Sequence, residues 1–237
     1  MAKIAPPTST EFQPQTRPAA KPQTKTAILD AAERLFAVQG FHAASLRTLT
    51  FEADVNLGAV NYHFSTKDEL ILAVLRRRIR PLNEERIALL DRLEKEAGGR
   101  ALPVEKILDV LFRPVLNLVI GENREGRYVV RLLAQLLADP GEYLQPLVFE
   151  EFAERNRRFH AAMARALPHL SSEEVHWRLH FVQGAFLHTL ANATVLEFSS
   201  KGRCRLTSVD SVLNRLIAFC VTGLEARDPK AKGAKRK

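Results

Sequence analysis

No apolar run in the 237 residues approaches the roughly 18–20 needed to span a bilayer. The N-terminus is rich in proline and threonine and lacks a charged stretch followed by an apolar one, so a secretory leader is not expected. Cysteine is scarce: Cys204 and Cys220 are too few for a disulfide framework and carry no metal-ligand spacing. A cytoplasmic protein with reduced thiols is the expectation. Catalytic signatures are missing too, with no G-x-S-x-G, no glycine-rich phosphate loop and no Cys-His-Asn order. Neither an internal repeat nor strand-like alternation beyond a few residues is visible. What is present, in abundance, is helical periodicity.

The formal net charge of +8 is concentrated at the ends. Residues 1–26 carry Lys3, Arg17, Lys21 and Lys25 against Glu11, and residues 225–237 carry six cations against Glu225 and Asp228. The body between them holds only +1. Basic tails keep a protein soluble, and an N-terminal basic arm leading into a DNA-binding helix can add salt-dependent affinity.

Residues 1–23 hold five prolines and read as a disordered arm. Thr24 or Thr26 is expected to cap a first helix whose Ile28, Ala32, Leu35 and Phe36 share one face, with Gly40 as its stop. After a motif discussed below, Ser65 or Thr66 caps a helix through RRRIR to Pro81, where a kink or break is expected. The pattern resumes as far as Gly98-Gly99. Arg76, Arg77, Arg78 and Arg80 read as a solvated or inter-domain charged face. Further helices follow over 103–120, interrupted by Pro114, over YVVRLLAQLLAD, and from Leu144 to near Pro168. A capping box at Ser171 and Glu174 opens a helix over 172–199, and a last helix runs from about 208 to 226. The fold class is all-α, with a small head at 24–70, a larger helical body at 71–226 and a basic tail at 227–237.

The stretch SLRTLTFEADVNLGAVNYHF, Ser45 to Phe64, organises this plan. Ser45 suits the N-cap of a short helix with Leu46, Leu49 and Ala53 inward. Asp54 can take a left-handed backbone in the turn, and Asn56 can cap a second helix whose inner face is Val60 and Phe64. Leu57, Gly58, Ala59, Asn61 and Tyr62 then point mostly outward. A small, uncharged, hydrogen-bonding face suits base edges and phosphates in a major groove.

Together with AILDAAERLFAVQGF before it and STKDELILAVL after it, this stretch resembles the N-terminal domain of the tetracycline-repressor (TetR) family. Asp54 stands where that family usually has glycine, and Thr50 where it usually has alanine. The resemblance implies about nine helices, with the last two packing against their copies in a homodimer on a near-palindromic double-stranded operator. It also implies a DNA-facing set of Ser45, Arg47, Asn56, Leu57, Gly58, Ala59, Asn61, Tyr62, His63 and Lys67. Arg47 is expected at a base edge and Ser45, His63 and Lys67 at phosphates. Apolar Phe186, Leu190, Leu213, Leu216 and Phe219 are the expected dimer surface.

His176, His180 and His188 share a face, yet only Glu173 could join them, so no metal, cofactor or catalytic residue is expected. A cavity for a small hydrophobic effector is the better reading of the body. Its expected lining is Phe112, Leu116, Arg131, Phe152, His180, Phe181 and Gln183. Arg131 is the expected cation because it interrupts an apolar helix; an ion pair with Glu150, Glu151 or Asp139 is its alternative role. The C-terminal half weakly resembles family members that answer to fatty acids or their coenzyme A thioesters. A metal-dependent enzyme on the histidine face and a nonspecific anion binder acting through the tails are the competing readings.

Overall fold

The computed structural model describes residues 22–120, 125–138 and 141–228. Its described residues form ten helices and no strand. The arm and tail expected at the two ends lie outside them, apart from 22–23 and 227–228. Helix α1 (Pro22–Gln39) starts earlier than either threonine cap would place it. Proline is well suited to a first helical turn, where its missing N–H has no partner to lose. Gly40 ends α1 with φ at +89°, a backbone that side chains disfavour.

Helices α2 (Leu46–Glu52) and α3 (Leu57–His63) pack with α1 through Ile28, Ala32, Leu35, Phe36, Leu49 and Val60, all buried. Phe36 and Phe41 meet edge to face at 5.7 Å. These contacts hold the two short helices rigid, since neither is long enough to be stable alone.

Helix α4 (Lys67–Ala97) is a single 31-residue element joining head to body. Thr66 Oγ1 accepts the Glu69 N–H at 3.1 Å, while Glu69 Oε2 accepts the Ser65 N–H at 2.8 Å. This is a reciprocal capping box. The helix passes through Pro81, which supplies no N–H to the Arg77 carbonyl, and ends at Gly98 with φ at +59°. Its arginines face both ways. Arg77 and Arg78 pair with Glu33 of α1, and Arg77 also with Asp30. Arg76 and Arg80 pair with Glu151, whose carbonyl accepts from Asn83 Nδ2 at 3.0 Å. The arginine cluster is thus an inter-domain tie.

The body is built from α5 (Val104–Ile120), α6 (Glu125–Ala138), α7 (Gly141–Ala166), α8 (Ser172–Ala191), α9 (Ala193–Ser199) and α10 (Val209–Glu225). Buried Ile107, Leu108, Leu111, Phe112, Val115 and Leu116 make α5 the central helix, touching α4, α6, α7 and α10. Phe112 stacks on Phe186 of α8 at 4.3 Å. Helix α6 also packs on α1, so the head is seated on the body. The single helix expected over 172–199 is divided at Asn192, where ψ is +28°. Asn192 Nδ2 donates to the His188 carbonyl at 3.2 Å, the local competition with helix propagation that asparagine is prone to.

Candidate nucleic-acid interface and effector cavity

The head presents α3 through two caps and one strained residue. Ser45 Oγ accepts the Thr48 N–H at 3.0 Å, which fixes the start of α2. Asp54 then takes φ at +52°, turning the chain left-handed without glycine. Asn56 Oδ1 accepts the Ala59 N–H at 2.8 Å and opens α3. A side chain at Gly58 would bring its Cβ within 3.2 Å of that same Asn56 oxygen. Val60 and Phe64 are buried beneath. Above them Leu57, Gly58, Asn61 and Tyr62 are exposed, Ala59 is half-buried, and Arg47 stands exposed on α2.

Two cations and a histidine frame this face. Lys67 Nζ donates to the His42 carbonyl at 3.0 Å, tying the α4 start to the turn after α1. Lys25 lies 5.9 Å from the Phe64 ring centroid. His63 sits edge-on to Tyr62 at 5.2 Å, and its Nε2 is buried without a hydrogen-bond partner among the described residues.

In the body, a cavity of about 750 Å³ opens among α4, α5, α7 and α8. Ile79, Leu82, Leu111, Phe112, Val115, Phe152, Phe159 and Phe186 belong to its apolar wall. Polar groups also line it: Arg86, Arg155, Asn156, His160, His176, His180 and Gln183. His160 and His176 lie with ring centroids 3.8 Å apart, and His176 Nδ1 donates to the Ser172 carbonyl at 2.8 Å. Burial pushes the Arg86 guanidinium down to about 9, with repulsion from Arg155 adding to the fall. Burial likewise pushes Arg155 down to about 10.

Residues 28–74 match the family described as bacterial regulatory proteins, tetR family, and residues 109–223 match the tetracyclin repressor-like C-terminal domain. The chain belongs to the TetR family. It is 30% identical over 134 residues to the HTH-type transcriptional regulator AcrR of Shigella flexneri, covering 56% of this chain and 57% of that one. It is 34% identical over 88 residues to the HTH-type transcriptional regulator PksA of Bacillus subtilis, covering 37% and 40%. The chain spans about half the length of the curated relatives it matches. Among solved structures, the fatty acid degradation regulator FadR from Bacillus halodurans superposes with a TM-score of 0.63 over 88% of this chain and 100% of that one, at 14% identity. SmeT, the repressor of the Stenotrophomonas maltophilia multidrug efflux pump SmeDEF, gives 0.55 over 85% and 91%, at 22% identity. Both share the fold.

For this TetR-family chain, the head residues named from sequence lie on α2, α3, their caps and the start of α4, all exposed except half-buried Ala59, His63 and Lys67. The body residues divide. Phe112, Phe152, His180 and Gln183 line the large cavity. Leu116 is fully buried core, and Arg131 is exposed on α6; neither lines it. Phe181 is 62% exposed and lines a separate groove beside α10. Arg131 is outside because it falls on the outer side of α6, opposite buried Val129, Val130, Leu132, Leu133 and Leu136. The cavity's buried cations are Arg86 and Arg155, which the sequence reading passed over. Each stands within an apolar stripe, Leu82-Arg86-Leu90 and Phe152-Arg155-Phe159, and that spacing was the available signal. Among the described residues no cluster of His, Cys, Asp and Glu could hold a metal ion, and no helix is long and apolar enough to cross a membrane.

Proposed function

We propose that the protein is a sequence-specific transcription regulator that grips double-stranded DNA through α2 and α3. A small hydrophobic effector filling the cavity causes its release. The observation that carries this reading is the two-sided α3: Val60 is buried while Leu57, Gly58, Asn61 and Tyr62 stand free on a capped, rigid helix. Arg47 would read a base edge and Ser45 and Lys67 would hold phosphates. Selection of DNA fragments by the purified protein, followed by sequencing, tests it. Enrichment of a near-palindromic sequence is expected, and recovery of unenriched DNA would refute the reading.

A homodimer fits the exposed faces of α8 and α10. Trp177 and Phe181 stack at 5.7 Å and are 53% and 62% exposed, and Phe219 is 74% exposed. They flank a groove of about 460 Å³ between the two helices. Phe186, Leu190 and Leu213, expected at the interface, are instead buried in the subunit's own core. The proposed contact therefore rests on Trp177, Phe181 and Phe219. For the effector, an acyl chain is the class to test first, since each methylene buried among these phenylalanines would contribute about 0.8 kcal/mol. Operator release titrated against chains of increasing length is the measurement.

A further inference from the structure

Arg86 is 6% exposed and Arg155 9% exposed, and among the described residues neither makes an ion pair with a carboxylate. Arg86 donates Nε to the Leu111 carbonyl at 2.7 Å and Nη1 to Asn83 Oδ1 at 3.2 Å. Arg155 donates Nε to Asn156 Oδ1 at 3.2 Å and lies 4.7 Å from the Phe152 ring centroid. Every one of these partners is neutral. Glu85, exposed on α4, acts on Arg86 through space only.

The rest of the body treats partly buried arginines differently. Arg158 pairs with Asp91 and Glu94. Arg178 pairs with Glu174 and also donates to the carbonyls of Gly223, Leu224 and Ala226 at the end of α10. Arg157, which also lines the cavity but is mostly exposed, pairs with Glu154. Two guanidinium groups kept from water beside each other, without a counter-charge, disfavour the empty fold. Their lowered affinity for protons records the same conflict, yet at about 9 and 10 both remain charged near neutral pH. The described lining otherwise adds Arg157, already paired with Glu154, together with His160, His176 and His180 and no carboxylate, so the cavity is an apolar space with a positive patch.

We propose that this cavity takes an amphiphilic anion, whose carboxylate or phosphate group bridges Arg86 of α4 and Arg155 of α7 while its apolar part lies against Phe112, Phe152, Phe159 and Phe186. The proposal rests on the reading of the body as an effector domain and adds the effector's charge. Guanidinium forks suit both oxyanions, and a site shielded from water strengthens the pairing. The same anion would join the two helices that Glu151 already ties together.

Calorimetric titration of the full chain with decanoate, decyl phosphate, decanol and decylammonium, each below its aggregation concentration, tests this. Both anions are expected to bind at least tenfold more tightly than decanol, and decylammonium more weakly still. The tighter of the two anions identifies the head group. In Arg155→Met the ratio of decanoate to decanol affinity should fall towards one, whereas Arg155→Lys should keep part of it. The wild-type comparison decides even if the methionine variant does not fold. Decanol binding as tightly as decanoate, or no binding by any of the four, overturns the proposal. DNA selection is scored separately. A protein that selects an operator but ignores head-group charge loses this inference alone. A protein that takes decanoate but selects no DNA loses the regulator reading alone.

Discussion

Arg47 and Lys67 are cations of the same surface with different surroundings. Arg47 is exposed on α2, and its backbone carbonyl accepts from Thr50 Oγ1 at 2.8 Å. Arg47→Ala should therefore cost about 1–3 kcal/mol on the selected operator and little on random DNA. Equal operator affinity in a fluorescence anisotropy titration would remove Arg47 from the readout. Lys67→Ala should weaken all sequences alike and flatten the salt dependence by about one phosphate contact. It should also loosen the turn at His42, which Lys67 now anchors. Arg155 supports a prediction about stability. Its acid form is disfavoured by burial in the native state, so the penalty is complete below about 10 and shrinks as pH rises towards the value of a free guanidinium. Ligand-free Arg155→Met should thus be about 1 kcal/mol more stable than wild type at neutral pH. That advantage should narrow above pH about 10. Denaturant unfolding at several pH values measures it, and a variant less stable at every pH would contradict the argument. At this scale the sequence was most legible where chemistry is local. The caps at Ser45 and Asn56 and the left-handed Asp54 follow from side-chain type and spacing alone, whereas Ser65 and Thr66 were equal candidates for the α4 cap that Thr66 makes. The cavity cations were not legible, because an arginine in an apolar stripe and one on an outer face differ only in how the helices around them pack.

Among the elements, α4 touches both the proposed DNA-binding head and the cavity. Its Ile79, Leu82 and Arg86 line the cavity while Arg77 and Arg78 hold α1 through nearly buried Glu33. Between these, Arg76 and Arg80 join α7 at Glu151. An effector alters DNA binding only if it favours one arrangement of α4 against α7 over another. Glu151→Gln removes the charge that pairs α7 with Arg76 and Arg80 of α4, so it should reduce the ratio of operator affinities without and with effector by severalfold. Comparison of the two anisotropy titrations checks it; an unchanged ratio would place the coupling elsewhere. Element boundaries show where sequence reading stops. The glycine stops at Gly40 and Gly98 follow from left-handed backbone preference. The division at Asn192 does not, since asparagine also sits inside helices and only its bond to the His188 carbonyl decides the matter. Pro81, Pro114 and Pro146 all lie inside continuous helices, where neighbouring packing overrides the local cost of proline.

For the whole molecule, the proposed dimer makes the two heads one reading unit. Phe219→Glu should place a charge in the α8–α10 contact and leave a monomer by sedimentation velocity, with operator affinity falling by two orders of magnitude or more, on the order of 3 kcal/mol. A dimer that survives the change would move the interface away from these helices. Family membership was legible from one contiguous stretch, whereas the division between core and exposed apolar residues was not: Leu213 and Phe219 look alike in a helical repeat, yet one is 0% and the other 74% exposed. The length of α4 adds a mechanical consequence. Thirty-one residues at 1.5 Å each form a lever about 46 Å long, with its far end at Gly98 and its near end at Lys67. A tilt of about 4° about its Gly98 end swings the Lys67 end by roughly 3 Å, close to the rise of one base pair. Two opposed levers in a dimer double that error in half-site spacing, so a displacement too small to disturb the core is enough to put both heads out of step with the groove.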